Sequence, residues 1–218
     1  MQTRTIELVN WTSEKKCRRA VGALTGRGFT AVYCATAQDA ADYILKHAEG
    51  AASVGFGGSL SVADLKLTIP LLDAGKEILN HGLPDLSPEQ RMDIMRRQFT
   101  CDLFLTGTNA LTLDGILVNI DGNGNRVGAM IFGPAKVIIV AGRNKLVEGD
   151  VCDALARVKA LASPPNAMRL DKNTPCAATG ICADCDSPER ICRVTTVLDR
   201  RPRFTDTHVL VVNEDMGL

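Results

Sequence analysis

Residues 136–141 read KVIIVA. One lysine is followed by an unbroken apolar run without period-2 alternation, the pattern of a strand buried on both faces in the middle of a sheet. The flanking sequence supplies what such a sheet requires. Residues 29–35, 52–55, 76–79 and 102–106 read as further strands, and residues 115–120 and 129–132 as two more joined by a glycine/asparagine turn. Helical segments alternate with them. In residues 12–27, Cys17, Ala20, Val21 and Leu24 fall on one helical face. Residues 37–49 place Ala41, Ile44, Leu45 and Ala48 together, residues 62–67 open another helix, and Ser87 before Pro88 marks the start of a helix over 88–99. Residues 149–162 form a helix with Val151, Leu155 and Val158 inward, and a late apolar strand covers 208–212. Strands alternating with helices specify an α/β fold, a mostly parallel open sheet with helices on both faces. After Ser163 the stretch SPPNAMRLDKNTP breaks the periodicity. The expected organisation is an α/β domain over 1–163, with residues 164–218 forming a cysteine-rich metal-binding loop and a closing strand packed on the same domain.

Bulk composition narrows the function. The chain has 218 residues, long enough to bury a core without disulfides, and its 25 basic and 25 acidic residues cancel. A neutral chain with only 4% aromatic residues has no electrostatic or stacking basis for nucleic-acid binding, nor for an anionic membrane surface. No apolar leader opens the sequence and no stretch is long enough to span a bilayer, so a cytoplasmic location is expected. Eight cysteines in a reducing compartment point to metal or redox chemistry.

Four of those cysteines, Cys176, Cys182, Cys185 and Cys192, crowd into PCAATGICADCDSPERIC with the spacing Cys-x5-Cys-x2-Cys-x6-Cys. Four soft thiolates suit a [4Fe–4S] cluster or Zn2+. One Cys-x2-Cys knuckle with two singletons fits a cluster wrapped by a single loop better than the paired knuckles of zinc sites. Cys17, Cys34, Cys101 and Cys152 read instead as small hydrophobes in or beside helices and strands.

The second motif is Gly55-Phe-Gly-Gly-Ser59, which follows a strand and precedes a helix. Its glycines let backbone N–H groups approach an anion, although it is neither a dinucleotide fingerprint nor a P-loop. Ser59 or Ser61 can cap the helix, and Ser61 with Asp64 fits a capping box. Thr106-Gly-Thr-Asn-Ala110 ends another strand, and ligands of open α/β sheets bind beyond such ends. The two loops could line one pocket, with Asp114 and Asn119 adding polar contacts. Lys136 and Arg143 flank the KVIIVA strand as candidate counter-charges. His47, His81 and His208 are far apart and nothing in the sequence pairs them. Residues 121–125, DGNGN, fail as a calcium loop because Arg126 and Phe132 replace the required glycine and glutamate.

Taken together, GFGGS, the segment TGTNALTLDGILVNIDGNGNRVGAMIFGPAKVIIVAGRNKLV and the cysteine tail resemble the lactate-utilisation (LUD) domain family over nearly the whole chain. The resemblance implies a fold of the ribose-phosphate isomerase and CoA-transferase-like class. It also implies a ligand pocket of Gly57, Gly58, Ser59, Thr108, Asn109, Thr112 and Asp114, with Asp114 as the acid/base in a catalytic reading. Family members are associated with oxidation of L-lactate to pyruvate in multi-subunit iron–sulfur complexes. The chain has no ferredoxin-type cluster pair, and no glutamate stands where the CoA-transferase nucleophile would be. The implied function is therefore an iron–sulfur accessory protein that relays electrons or supports assembly, with redox partner subunits, a small anionic ligand and a homo-oligomer as its company. The alternative is an isomerase- or transferase-like enzyme for a phosphorylated sugar or CoA-like anion, with a structural metal.

Overall fold

The computed structural model describes residues 2–218. Its centre is a six-stranded parallel sheet in the order β1-β10-β7-β4-β2-β3. These strands are β1 (Thr30–Cys34), β2 (Ser53–Phe56), β3 (Glu77–Asn80), β4 (Leu103–Gly107), β7 (Lys136–Gly142) and β10 (Asp206–Val212). β7 lies between β10 and β4, and Val137 through Ala141 are fully buried, as the KVIIVA run requires.

Alternate residues of the inner strands supply two cores. Phe104, Val137, Ile139, Val209 and Val211 pack against α1 (Gln2–Gly26) and α6 (Asn125–Ile131). Leu103, Leu105, Ile138, Val140 and Leu210 pack against α2 (Ala37–Ala48), α3 (Leu60–Ala63) and α4 (Thr68–Asp73). Each fully buried aliphatic side chain contributes roughly 1.5–3 kcal/mol, so the sheet and its two helical layers dominate the stability.

A second, smaller sheet has the order β8-β5-β6-β9. It joins β5 (Ala110–Thr112), β6 (Leu117–Asp121), β8 (Leu146–Val147) and β9 (Val194–Leu198). Its Ala110 and Val118 pack on α7 (Val151–Arg157) and the turn that follows. Short strands of two to five residues carry little periodicity, so this sheet is only partly visible in the sequence.

Several boundaries depart from the sequence reading. Residues 129–132 are not a strand but the end of α6. Asp121 accepts hydrogen bonds from the N–H groups of Asn123, Gly124 and Val127, and Gly124 takes φ +81°, which together start a helix just where a hairpin turn was read. α1 begins at Gln2, well before residue 12, with Ile6, Leu8, Val9 and Trp11 exposed. The 62–67 helix is the single turn α3, followed by α4. The 149–162 helix does not stop at Ser163: α7 widens into a π-turn over Val158–Ala162 and continues as α8 (Ser163–Arg169). Pro164 and Pro165 sit in the first turn of α8, where missing N–H groups cost least, and the wider turn accommodates their rings. α5 (Pro88–Arg97) carries the Ser87 cap, with Gln90 completing a capping box. α9 (Pro175–Thr179) opens the cysteine segment.

Candidate functional site

The carboxyl ends of β2 and β4 meet where the sheet reverses its direction of winding: β3 lies on one side of β2 and β4 on the other. Such a point opens a crevice in an α/β sheet. Two glycines bring its walls together. A Cβ on Gly57 would lie 2.9 Å from the Phe104 ring and 3.0 Å from Thr106 Oγ1, and a Cβ on Gly107 would overlap Ser59 Oγ. The two glycine loops read from the sequence are therefore in contact. Ser59 caps α3 by accepting from Val62 N–H.

The Ser61–Asp64 capping box does not form, because α3 starts at Leu60 and Ser61 already lies inside it. Ser61 is fully buried; its hydroxyl donates to the Met216 carbonyl and accepts from Lys145 Nζ at 2.7 Å. Asp64 instead accepts from Gly217 N–H.

The loop after β4 carries an unusual charge arrangement. Arg126 donates to the Gly107 carbonyl at 3.2 Å, Lys145 to the Thr108 carbonyl at 3.0 Å and Arg157 to the Asn109 carbonyl at 2.8 Å. Three successive carbonyls thus end on three cations. Among the described residues, only Arg126 of the three is ion-paired, with Asp121 at 3.3 Å. Burial, then the charges of Arg157 and Arg126, push the Lys145 ammonium down to about 7. Burial also lowers the Arg126 and Arg157 guanidiniums. Arg126 further donates to Asn109 Oδ1 and Asn119 Oδ1, while Asn119 Nδ2 is buried with no partner. A desolvated site with surplus positive charge and a free amide donor is suited to an anion.

The structure gathers Gly57, Ser59, Thr108 and Asn109 here. Gly58 is exposed and faces His81, whose ring nitrogen would lie 3.5 Å from an added Cβ. Thr112 is buried at the far end of the β5–β6 hairpin, its hydroxyl accepting from Ile116 N–H. Asp114 lies at the tip of that hairpin, exposed and paired with Arg19 at 2.9 Å. Lys136 pairs with Asp206 and Arg143 with Asp215. His47 and His208 do meet, with ring centroids 5.1 Å apart around Tyr43. Lys145, Arg126 and Arg157 were absent from the sequence-derived site, because each lies in an ordinary polar stretch and only the tertiary fold buries it.

The four tail cysteines line one pocket together with Lys159, Ser163, Thr174, Asp184 and Arg190. Cys176 sits in α9, and the other three follow in irregular chain. Arg190 ties the loop by donating to the Cys185 and Cys192 carbonyls at 2.6 and 2.7 Å and to Asp184. Two of the sulfurs meet hydroxyls: Cys176 that of Thr174 at 3.4 Å and Cys192 that of Ser163 at 3.5 Å. No group of three or more His, Cys, Asp or Glu side chains among the described residues is arranged to hold a metal ion. By contrast Cys17, Cys34 and Cys101 are buried, which raises their thiols to about 11, 12 and 11, and Cys152 is exposed.

A family model for the LUD domain matches residues 17–212. The chain belongs to the LUD domain family. That family is associated with lactate utilisation in general. A solved LUD-type relative, the crystal structure of a DUF162 family protein from Deinococcus radiodurans, superposes with a TM-score of 0.55 at 17% identity. The match covers 92% of this chain and 98% of that one, and shows the shared fold. No curated protein matches the sequence. The LUD match includes both glycine loops, Lys145, Arg157 and all four tail cysteines, and it leaves out residues 213–218. Those residues cross the carboxyl edge of the LUD sheet: Met216 receives the Ser61 hydroxyl, and Gly217 N–H reaches Asp64. Among the described residues no helix is long and apolar enough to cross a membrane.

Proposed function

We propose that this LUD-domain protein is an iron–sulfur accessory protein of lactate, or related 2-hydroxy-acid, utilisation. In this reading it relays electrons to an oxidising complex or supports its assembly, and binds a small anion in the crevice. The observation that carries the proposal is that Cys176, Cys182, Cys185 and Cys192 all line one pocket. The preference for a [4Fe–4S] cluster over Zn2+ rests on the spacing, one Cys-x2-Cys knuckle flanked by two single cysteines on one loop. Bound by these four residues, such a cluster supplies one-electron transfer. The chain's own part is to hold the loop and balance its charge. Arg190 fixes two cysteine carbonyls, and Lys159 and Arg190 place positive charge beside the thiolates. In the crevice, Lys145, Arg157 and the free Asn119 amide supply the cationic and donor groups for a carboxylate.

The alternative enzyme reading has one specific support. Lys145 contacts the Ser61 hydroxyl at 2.7 Å and titrates near neutrality, so it can exchange a proton at working pH on a phosphorylated sugar or CoA-like anion. The metal would then be structural.

Anaerobic purification with absorption spectroscopy and metal analysis tests the proposal. A brown protein bleached by dithionite, with about four irons per chain, is the expected result. A colourless protein with one zinc would overturn the electron-relay reading and move attention to Lys145 and the crevice.

A further inference from the structure

Gln98 is fully buried in the turn that ends α5, and its side-chain amide ties two strands of the large sheet together. Its Nε2 donates to the Phe56 carbonyl at the end of β2 and to the Leu79 carbonyl in β3, both at 2.8 Å. Those two acceptors fix which amide atom is the nitrogen, since a flipped amide would press its oxygen against two carbonyl oxygens. The same nitrogen stands 3.1 Å from Nδ1 of His81, the residue that follows β3. An amide nitrogen donates and does not accept, so Nδ1 keeps its lone pair and the ring proton sits on Nε2. A proton on Nδ1 would set N–H against N–H. Burial, and then the Arg91 charge, also hold the imidazole below its ordinary range. Arg91 anchors the residue itself, donating to the His81 carbonyl at 2.6 Å.

The ring is thus fixed at one end and open at the other. Among the described residues no protein group hydrogen-bonds His81 Nε2. That edge of the ring faces Gly58, where an added Cβ would lie 3.5 Å from Nε2 and 3.7 Å from Cε1. Gly58 takes φ +71°, so a side chain there would be strained and would cover the N–H. The neighbouring Gly57 faces the Arg126 stem, 3.1 Å from an added Cβ. Consecutive α-carbons are only about 3.8 Å apart, so His81 and Arg126 flank the same two glycines. Arg126 leads from there to Asn109 and Asn119 of the crevice.

We infer that His81 is a ligand-binding residue of the crevice, a donor-only imidazole that gives its Nε2–H to an oxygen of a small carboxylate or phosphate seated over the Gly57–Gly58 backbone. Gln98 is the positioning residue that sets the tautomer. The inference rests on the anion reading of the crevice proposed above and extends that site to the end of β3. The ligand oxygen at this point is an acceptor, because the ring edge it meets can only donate.

The test has two parts, each on the full chain. The first is the 15N spectrum of histidine-labelled protein at neutral pH, with His81 assigned from its absence in His81→Gln. The Nε2–H tautomer is expected, and its Nε2 signal is expected to move when an anion binds. This reading needs no variant to fold. The second is titration calorimetry with pyruvate, L-lactate and inorganic phosphate, whose arms separate a carboxylate from a phosphate, with thermal melting to check each variant. His81→Phe is expected to weaken the anion that binds by about tenfold or more, since a hydrogen bond to a charged group is lost. His81→Gln, which keeps an N–H donor, is expected to recover most of it. An Nδ1–H tautomer or an imidazolium would overturn the inference. So would unchanged affinity in His81→Phe, and the crevice reading would still stand if Lys145→Met weakened binding. Loss in His81→Phe with Lys145→Met unchanged would keep His81 and remove Lys145 from the anion site. Failure of all three probes to bind the wild type would overturn both.

Discussion

The crevice and the cysteine pocket lie in one chain but are held by different means. Around the crevice almost every polar group has a partner within the protein: three cations bond three successive carbonyls, Asp121 receives three N–H groups, and Ser61 bridges Lys145 to Met216. The cysteine loop is tied by Arg190, Arg193, Ser187 and Glu189 near the surface, with one short helix and exposed apolar residues such as Ile181 at 73%. Burial and hydrogen bonds preform the first site, whereas the second has thiols where its strongest bonds would be. A metal-bound loop draws its order from the metal.

The sharpest way to break this comparison is to change one polar side chain in each region of metal-free protein. Asp121→Asn takes the counter-ion from buried Arg126 and disturbs the start of α6. It is expected to cost about 3–5 kcal/mol, read from the urea midpoint. Cys182→Ser in the same metal-free state is expected to leave the midpoint where it was. Comparable losses from both would show that the loop is as much a part of the fold as the crevice.

The next effect is smaller and confined to the loop. With the proposed metal bound in protein purified without oxygen, stripping it is expected to speed tryptic cleavage at Lys172, Arg190 or Arg193 by about tenfold, while α1–β7 stays intact. Unchanged cleavage would mean that the loop is ordered by protein contacts alone.

Lys145 sharpens the other half. Its ammonium is lowered from 10.5 to about 7 in the folded chain, chiefly by burial. Between those values the unfolded chain holds a proton that the folded one has released, so this group makes stability rise with pH from about 7 toward 10.5. Below about 7 both states are protonated, and the full cost of burying the charge is present. Lys145→Met is expected to flatten that rise, so the variant compares better with wild type at pH 6 than at pH 9. Parallel curves would show that Lys145 stays charged in the fold, held so by an anion or by the Asp64 carboxylate.

How much of this was legible follows from what each residue's neighbours in sequence reveal. KVIIVA announces a doubly buried strand because burial on both faces removes alternation, and Ser87-Pro88 announces α5 because cap chemistry is local. The short run 129–132 is compatible with strand or helix, and the deciding contacts come from Asp121, which no period reports. The glycines at 57 and 107 were visible as two loops that could line one pocket, and the structure brings those loops into contact. Lys145 was not visible, since nothing in GRNKLV distinguishes a buried lysine from a solvated one. The cysteine spacing stood out because thiol clustering is itself the signal. Its geometry was not readable, because irregular loops have no period.

The smallest expected effect concerns Asp114, the acid/base that the family resemblance implied. It sits at the tip of the β5–β6 turn, two-thirds exposed, with Arg19 as its partner and with Arg27 bonded to its carbonyl. An exposed pair of this kind adds little to stability, because water screens the charges and two long side chains must be held still. Asp114→Asn keeps the backbone carbonyl for Arg27 and changes only the charge facing Arg19. The urea midpoint is therefore expected to stay unchanged, and so is ligand affinity if the anion site is the crevice of Lys145, Arg157 and Asn119. A loss of affinity or turnover in Asp114→Asn, with stability intact, would carry the site from the crevice to the hairpin tip. The contrast between a preformed crevice and a loop proposed to be ordered by a metal would then have been drawn around the wrong pocket.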